Sequence, residues 1–321
     1  MPNTSEVLTS TTLSNVAMEY DLTNQGFGAP ALLPPLPVAT STGTFYKVDT
    51  ERITLASENN TLRAPGQVAK EVDWHTSTDT YATKNYSLKE YTPDEIRNDA
   101  NASQSPVSGL LASPMRIKHR LMVEAEIAAA AALVAGVTTN TGTGAANAHW
   151  DAGSEDVISW FLAAHLAIEN ACGNHANVLV ADSNAIRRLM NHTQIIARIV
   201  GGATPGQPGV VSLANLAAVL MVDRIVPSFA LQNAAVQGQT ASLSRIWGEN
   251  AFLAYVNTSN DVRDISLGRT FVWNQPGSAD GWLAQTWRDD ERKSDVVQLD
   301  YSYVYKITDE TAAYKFTDIL T

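Results

Sequence analysis

Cys172 and His175 have the Cys-x-x-His spacing that can bring a thiolate and an imidazole onto one zinc ion, and His165 lies upstream of them. A tetrahedral zinc site needs a further pair of ligands. The chain has 1 cysteine and 6 scattered histidines, so no such pair is in sight. Both residues read as structural. Cys172 also falls near the end of a predicted helix, the wrong end for lowering a thiol pKa. The spacing Gly142-x-Gly144 invites a phosphate-loop reading. It follows a helix rather than a strand, lacks the third glycine, and no Gly-Lys-Ser/Thr occurs anywhere. Asp289, Asp290, Glu291 and Asp295 offer carboxylates for acid–base work. Arg292 and Lys293 are interleaved with them, which makes the cluster a self-neutralising surface or an intersubunit salt-bridge site. No His-Glu-x-x-His and no Gly-x-Ser-x-Gly is present. The sequence therefore assigns no catalytic, cofactor-binding or metal-binding residue, and it does not read as an enzyme.

Composition bounds the rest. The chain has 321 residues and a formal net charge of −11. That length can bury a large core. The charge argues against a dedicated nucleic-acid or anionic-membrane binder, because affinity for phosphate is built on clustered Lys and Arg. The N-terminus has no basic segment followed by an apolar one, and no window is apolar enough to span a bilayer. A chain with one cysteine fits a reducing cytoplasm.

The elements that would position any site are arranged around residues 113–135. Ser113 can cap a helix, Pro114 suits its first position and Gly136 is a plausible stop. The first half carries Arg116, Lys118, His119, Arg120, Glu124 and Glu126; Ile127 to Ala135 carries no charge. Upstream, residues 1–40 end in a run with Pro34, Pro35 and Pro37, which excludes helix and interior strand. This reads as an extended arm, too apolar to be a solvated tail. Residues 44–91 read as a long two-stranded hairpin around Pro65-Gly66. A lone hairpin is marginal in water, so it needs a surface to lie on. Thr92-Pro93-Asp94-Glu95 starts a helix.

Downstream, Ser154 is expected to cap a helix that Gly173 stops, followed by the buried strand Asn177 to Asp182 and a second helical stretch, 183–199. In 201–260 there are four charged residues, Asp223, Arg224, Arg245 and Glu249, which points to a piece covered by packing or by neighbours. It holds a short helix, a strand stopped by Pro227, and two strand pieces around Gly248. In 296–307, Val297, Leu299, Tyr301, Tyr303, Tyr305 and Ile307 share one face of a strand, expected to cover the apolar half of the long helix. The charged half is expected nearer the arm and hairpin. A last short strand follows.

In this order and spacing the chain resembles a tailed-phage major capsid protein of the Hong Kong 97 fold, an α+β architecture. The arm, the hairpin, the long helix, the stretch Glu155 to Ile195, the segment ending Ser244 to Val256 and the closing Ser294 to Phe316 carry the resemblance. It implies an N-terminal arm at 1–43, an E-loop hairpin at 44–92, a P-domain at 93–153 with its spine helix at 113–135, an A-domain at 154–260, and P-domain return strands at 261–321. It further implies self-assembly into pentamers and hexamers of an icosahedral virion shell enclosing double-stranded DNA without specific binding. Assembly would take place in the host cytoplasm, with a separate scaffolding protein, a portal protein, in some members a decoration protein, and no membrane. The alternative is an encapsulin-type bacterial compartment shell. An α/β enzyme with an unrecognised site comes third. Lys70, Lys84 and Lys89 sit in the hairpin, but nothing matches them to the covalent crosslinking of some family members.

Overall fold

The structure is a computed structural model that describes residues 8–9, 26–47, 62–68, 77–102, 109–143, 149–152, 155–200, 211–236, 238–259 and 264–320. Its helices are α1 (Ala29–Leu32), α2 (Asp94–Ala102), α3 (Gly109–Gly136), α4 (Val157–Cys172), α5 (Ser183–Met190), α6 (Thr193–Val200) and α7 (Leu213–Val219). The strands in the first half are β1 (Leu8–Thr9), β2 (Pro35–Val38), β3 (Thr42–Lys47), β4 (Ser77–Ala82), β5 (Lys84–Pro93), β6 (Thr141–Thr143) and β7 (Val178–Asp182). In the second half they are β8 (Arg224–Ser228), β9 (Leu231–Asn233), β10 (Leu243–Arg245), β11 (Ala251–Ala254), β12 (Gly268–Trp273), β13 (Trp282–Asp289), β14 (Ser294–Ile307) and β15 (Ala313–Thr317).

The 14-residue β14 is the axis of the first sheet. On one side β5 runs antiparallel to it from Ser294 to Tyr303. The other side is shared. β13 covers Ser294 to Tyr301, and β12 covers Tyr303 to Ile307. Between these two strands the chain loops out and returns through Asp280 and Gly281, at φ 47 and 81. Ala279 and Trp282 exchange both backbone hydrogen bonds at 2.9 Å, so this is a tight hairpin turn with two left-handed residues. A side chain at Gly281 would also meet Val272, whose Cγ1 lies 2.2 Å from the ideal Cβ position. β1 and β2 extend the sheet outward from β13 and β12.

The second sheet has the order β6-β15-β11-β7-β8. β7 is buried at all five residues. It pairs in parallel with β8, so α5, α6 and α7 form the crossover that a parallel pair requires. Pro227 does not stop β8. The strand lies at the sheet edge, where a residue without an N–H is tolerated. Under this sheet Phe161 and Ile168 of α4 pack with Trp150, Leu179, Leu253 and Phe316.

The spine helix α3 joins the two sheets. Ile117, Leu121, Ala125, Ala129, Leu133 and Val137 are all buried and recur at every fourth position. That spacing is a continuous ridge along the helix surface. Ile117 and Leu121 pack on Trp282, Ala284, Val297 and Leu299. Ala129, Ala130 and Leu133 pack on Leu32, Val178, Val180, Phe252 and Ala254, with Tyr305 and Ile307 alongside. The expected partner of the helix's apolar half is therefore corrected. Its charged half lies on the middle of β14, and its apolar half lies mainly on the second sheet. The ridge runs the whole length, and the charges sit off it.

Three boundaries also differ from expectation. α3 starts at Gly109, so Ser113 is buried inside the helix and Pro114 is internal. Leu110 and Leu111 are strong helix formers that carry the helix back past the proline. α4 is capped by Asp156 rather than Ser154, with the Asp156 carboxylate accepting from the Ser159 N–H at 3.2 Å. The stretch 183–199 is broken between α5 and α6 at Asn191–His192. There His192 is buried and donates to the Ala152 carbonyl at 3.0 Å.

Candidate functional site

Among the described residues, the second strand of the hairpin ends earlier than its sequence suggests. β3 and β4 pair antiparallel over six residues each, from Thr42↔Ala82 to Lys47↔Ser77. After Thr83 the chain leaves the ribbon, and β5 joins the first sheet instead. The cause is the long apolar flank of β14, which takes β5 residues Tyr86 and Leu88 into its core. The root of the ribbon is anchored by aromatic packing. Tyr81 stacks on Phe271 with centroids 4.6 Å apart, and Phe45 meets the same ring at 5.1 Å. Asp79 is bracketed by Lys47 at 3.5 Å and Lys306 at 3.7 Å. A hydrogen bond from the Thr80 N–H, helped by these two lysines, holds its carboxyl below the usual value. Within β3, Tyr46 is 56% exposed.

From Gly26 onward the arm is fastened by one side chain of the spine. The Glu126 carboxylate accepts from the Gly28 N–H at 2.6 Å, the Ala29 N–H at 3.1 Å and the Trp247 indole N–H at 2.6 Å. Glu126 is 2% exposed. Burial pushes its carboxyl up, and the three N–H donors pull it partly back. Gly28 has no room for a side chain, since its ideal Cβ position is 2.5 Å from Val180 Cγ1. One carboxylate thus ties together the arm, the spine and the loop before β11. Beside it lies a cavity of about 770 Å³ between the arm, α3, β8 and the first sheet. Phe27, Met122, Phe229, Trp282 and Tyr305 supply apolar walls, with Lys118 and Arg224 as cations. Lys118 is itself buried over the Trp282 ring at 5.4 Å. Nothing in the sequence singled out Glu126. The available signal was a carboxylate opening an alanine-rich helical run.

His165 and His175 stack on each other, and Cys172 is buried with its thiol pushed up by burial. Among the described residues no group of His, Cys, Asp and Glu is placed to hold a metal ion. Asp295 of the acidic turn is paired within the chain. Arg288 pairs with Asp94 at 2.7 Å and Asp295 at 3.1 Å, and Arg97 pairs with the same two carboxylates. This network fastens the start of α2 to the β13–β14 turn. Arg292 lies over the Tyr91 ring at 4.7 Å. Arg116 pairs with Glu90 of β5 at 2.6 Å. Gly142 lies in β6 beside β15, and Gly144 falls outside the described residues. Lys84 and Lys89 lie on β5, and Lys70 falls outside the described residues. Among the described residues, no helix is long and apolar enough to cross a membrane.

A long spine helix crossing a sheet with a 14-residue central strand, a second sheet with helical crossovers, a projecting ribbon and a strapped arm together define the Hong Kong 97 capsid fold. Solved structures bear this out. The chain superposes on a phage-related protein from Bordetella bronchiseptica RB50 with a TM-score of 0.72 at 21% identity, covering 97% of this chain and 98% of that one. It superposes on the capsid protein of cyanophage P-SCSP1u with a TM-score of 0.52 at 12% identity, covering 88% and 86%. It also matches an encapsulin from Synechococcus elongatus with a TM-score of 0.50 at 11% identity, covering 90% and 86%. No protein-family model matches the chain. No curated protein matches it either.

Proposed function

We propose that the chain is the major shell subunit of a tailed phage, assembling through copies of itself into pentamers and hexamers of a closed icosahedral capsid around double-stranded DNA. The observation that carries this reading is the ribbon β3–β4. It is rooted in aromatic packing, yet Tyr46 within it is a large aromatic side chain left 56% exposed. Such a ribbon gains stability only when another surface covers it. A second uncovered surface agrees. Phe229 to Ser244 contains no charged residue, and Leu231, Val236 and Leu243 on and between β9 and β10 are exposed. Charge depletion with exposed apolar side chains is the composition of an interface core.

In this reading residues 1–43 are the arm and 44–92 the E-loop. Residues 93–153 and 261–321 form the P-domain, and 154–260 form the A-domain. β5 serves the P-domain sheet and β15 the A-domain sheet. A separate scaffolding protein and a portal complete the assembly, which takes place in the host cytoplasm. No catalytic step is assigned to the chain. A second reading, an encapsulin-type compartment, is favoured by the fold match to an encapsulin and by the cavity beneath the arm. Negative-stain microscopy of the expressed protein tests the shared claim, with rings, sheets or closed shells expected. A monodisperse monomer under all assembly conditions would overturn it. Particle contents then separate the readings: nucleic acid for a phage shell, a co-purifying protein cargo for a compartment.

A further inference from the structure

His165 and His175 lie face to face, centroids 4.3 Å apart and rings within 8° of parallel. The His165 Nε2–H donates to the Leu220 carbonyl and the His175 Nε2–H to the Met221 carbonyl, each at 2.9 Å. A carbonyl can only accept, so Nε2 carries a proton in both rings. The second nitrogens face different surroundings. His175 Nδ1 lies 2.7 Å from a Glu169 carboxylate oxygen, which favours the imidazolium form of this ring. His165 Nδ1 is buried with no hydrogen-bond partner, so a proton placed there would have no acceptor. The surroundings thus favour one cation stacked on one neutral ring. The two carbonyls it holds are consecutive and close the end of α7, where backbone acceptors are otherwise orphaned. Met221 is left-handed there, at φ 54.

We propose that this stack is a pH-gated latch that fastens the turn Leu220–Val222 to the end of α4, closed near neutral pH and weakened by both acid and base. The charged groups facing it are Glu169 from α4 and Asp223 from the turn. The two arms have opposite signs. The hydrogen bond to Glu169 raises His175 above the ordinary 6.5. Its contribution is complete below that value and fades as pH rises through the folded one. Burial, and then the His175 charge, lower His165 below 6.5. Its contribution is complete above that value and is lost as pH falls through the folded one. Opening the latch frees the lead into β8, whose residues Arg224 to Pro227 wall the cavity beneath the arm. The latch is independent of whether the chain builds shells.

Hydrogen exchange by mass spectrometry on the full chain tests it. Protection factors, which remove the intrinsic pH dependence, are measured for peptides covering 216–224 at pH values of about 5, 6.5 and 8. Wild type is expected to be most protected at the middle value and to lose roughly fivefold on each side, the ratio one net hydrogen bond supplies. Peptides covering 282–301, which contain no histidine, should not follow this profile. His175→Gln should abolish the alkaline fall, and His165→Phe, which keeps a stacked ring, the acid fall. A flat or one-sided wild-type profile, the same profile in 282–301, or both falls surviving in the variants would overturn the latch. If a variant does not fold, the wild-type comparison of the two segments decides alone.

Discussion

Replacing Glu126 by alanine removes the oxygens that accept from Gly28, Ala29 and Trp247. A buried N–H left without an acceptor costs about 1–3 kcal/mol. Three donors are affected, but the adjoining cavity admits water to some of them. That places Glu126→Ala at the low end, a loss of about 3 kcal/mol. Glutamine keeps one side-chain oxygen in reach of all three donors and has no charge to desolvate. Glu126→Gln is therefore expected within about 1 kcal/mol of wild type. The pH dependence has a definite sign. Burial raises the Glu126 carboxyl above 4.5, so the folded chain holds this proton more tightly than the unfolded one. The linked stability is present below 4.5 and is lost as pH rises through the folded value. Wild type should lose stability relative to Glu126→Gln over that interval. The assay is urea unfolding of the unassembled chain at several pH values, with limited proteolysis near Gly26 to read release of the arm. If Gln proves as damaging as Ala, the charge rather than the acceptor geometry holds the arm, and the reasoning fails. It fails equally if Ala costs under about 1 kcal/mol.

Other perturbations separate the remaining contacts. Phe271→Ala should cost about 3–5 kcal/mol, since it empties the site beneath Phe45 and Tyr81. Hydrogen exchange of Thr42 to Lys47 should speed up with it, whereas a change confined to β12 would show that the ribbon is anchored elsewhere. Gly281→Ala should destabilise by about 1–3 kcal/mol, because its left-handed turn and the nearby Val272 both resist a Cβ. A melting temperature equal to wild type would contradict that turn. Arg288→Ala should give a small loss of thermal stability that shrinks as salt is added, because the Asp94 and Asp295 pairs are solvent-facing. Asp94 is held below its ordinary 3.8 chiefly by Arg288, so this network's stabilisation is present above 3.8 and fades as pH falls through the folded value. An acid limb unchanged in Arg288→Ala would refute the assignment.

Elements whose cause is local were legible in the sequence. The period-two face of Val297 to Ile307 marks β14 because alternate side chains must share a side. Gly173 stops α4 because it alone takes the left-handed turn there cheaply, at φ 73. The histidines and the lone cysteine read as structural because they lacked partners at metal-ligand spacing. The order of arm, hairpin, spine and return strand was enough to indicate the fold. Pairings set by distant chain segments were not legible. β5 looks like the second strand of a hairpin, and only the flank of β14 draws it away. β15 looks like another return strand, yet it pairs with β11 in the second sheet. The ridge from Ile117 to Val137 was obscured by the charges beside it, so the helix read as two halves instead of one continuous contact. Glu126 and Trp247 are separated by 121 positions. No local pattern marks a carboxylate whose donors arrive from the arm and from another sheet, and that convergence exists only once both have packed against the spine.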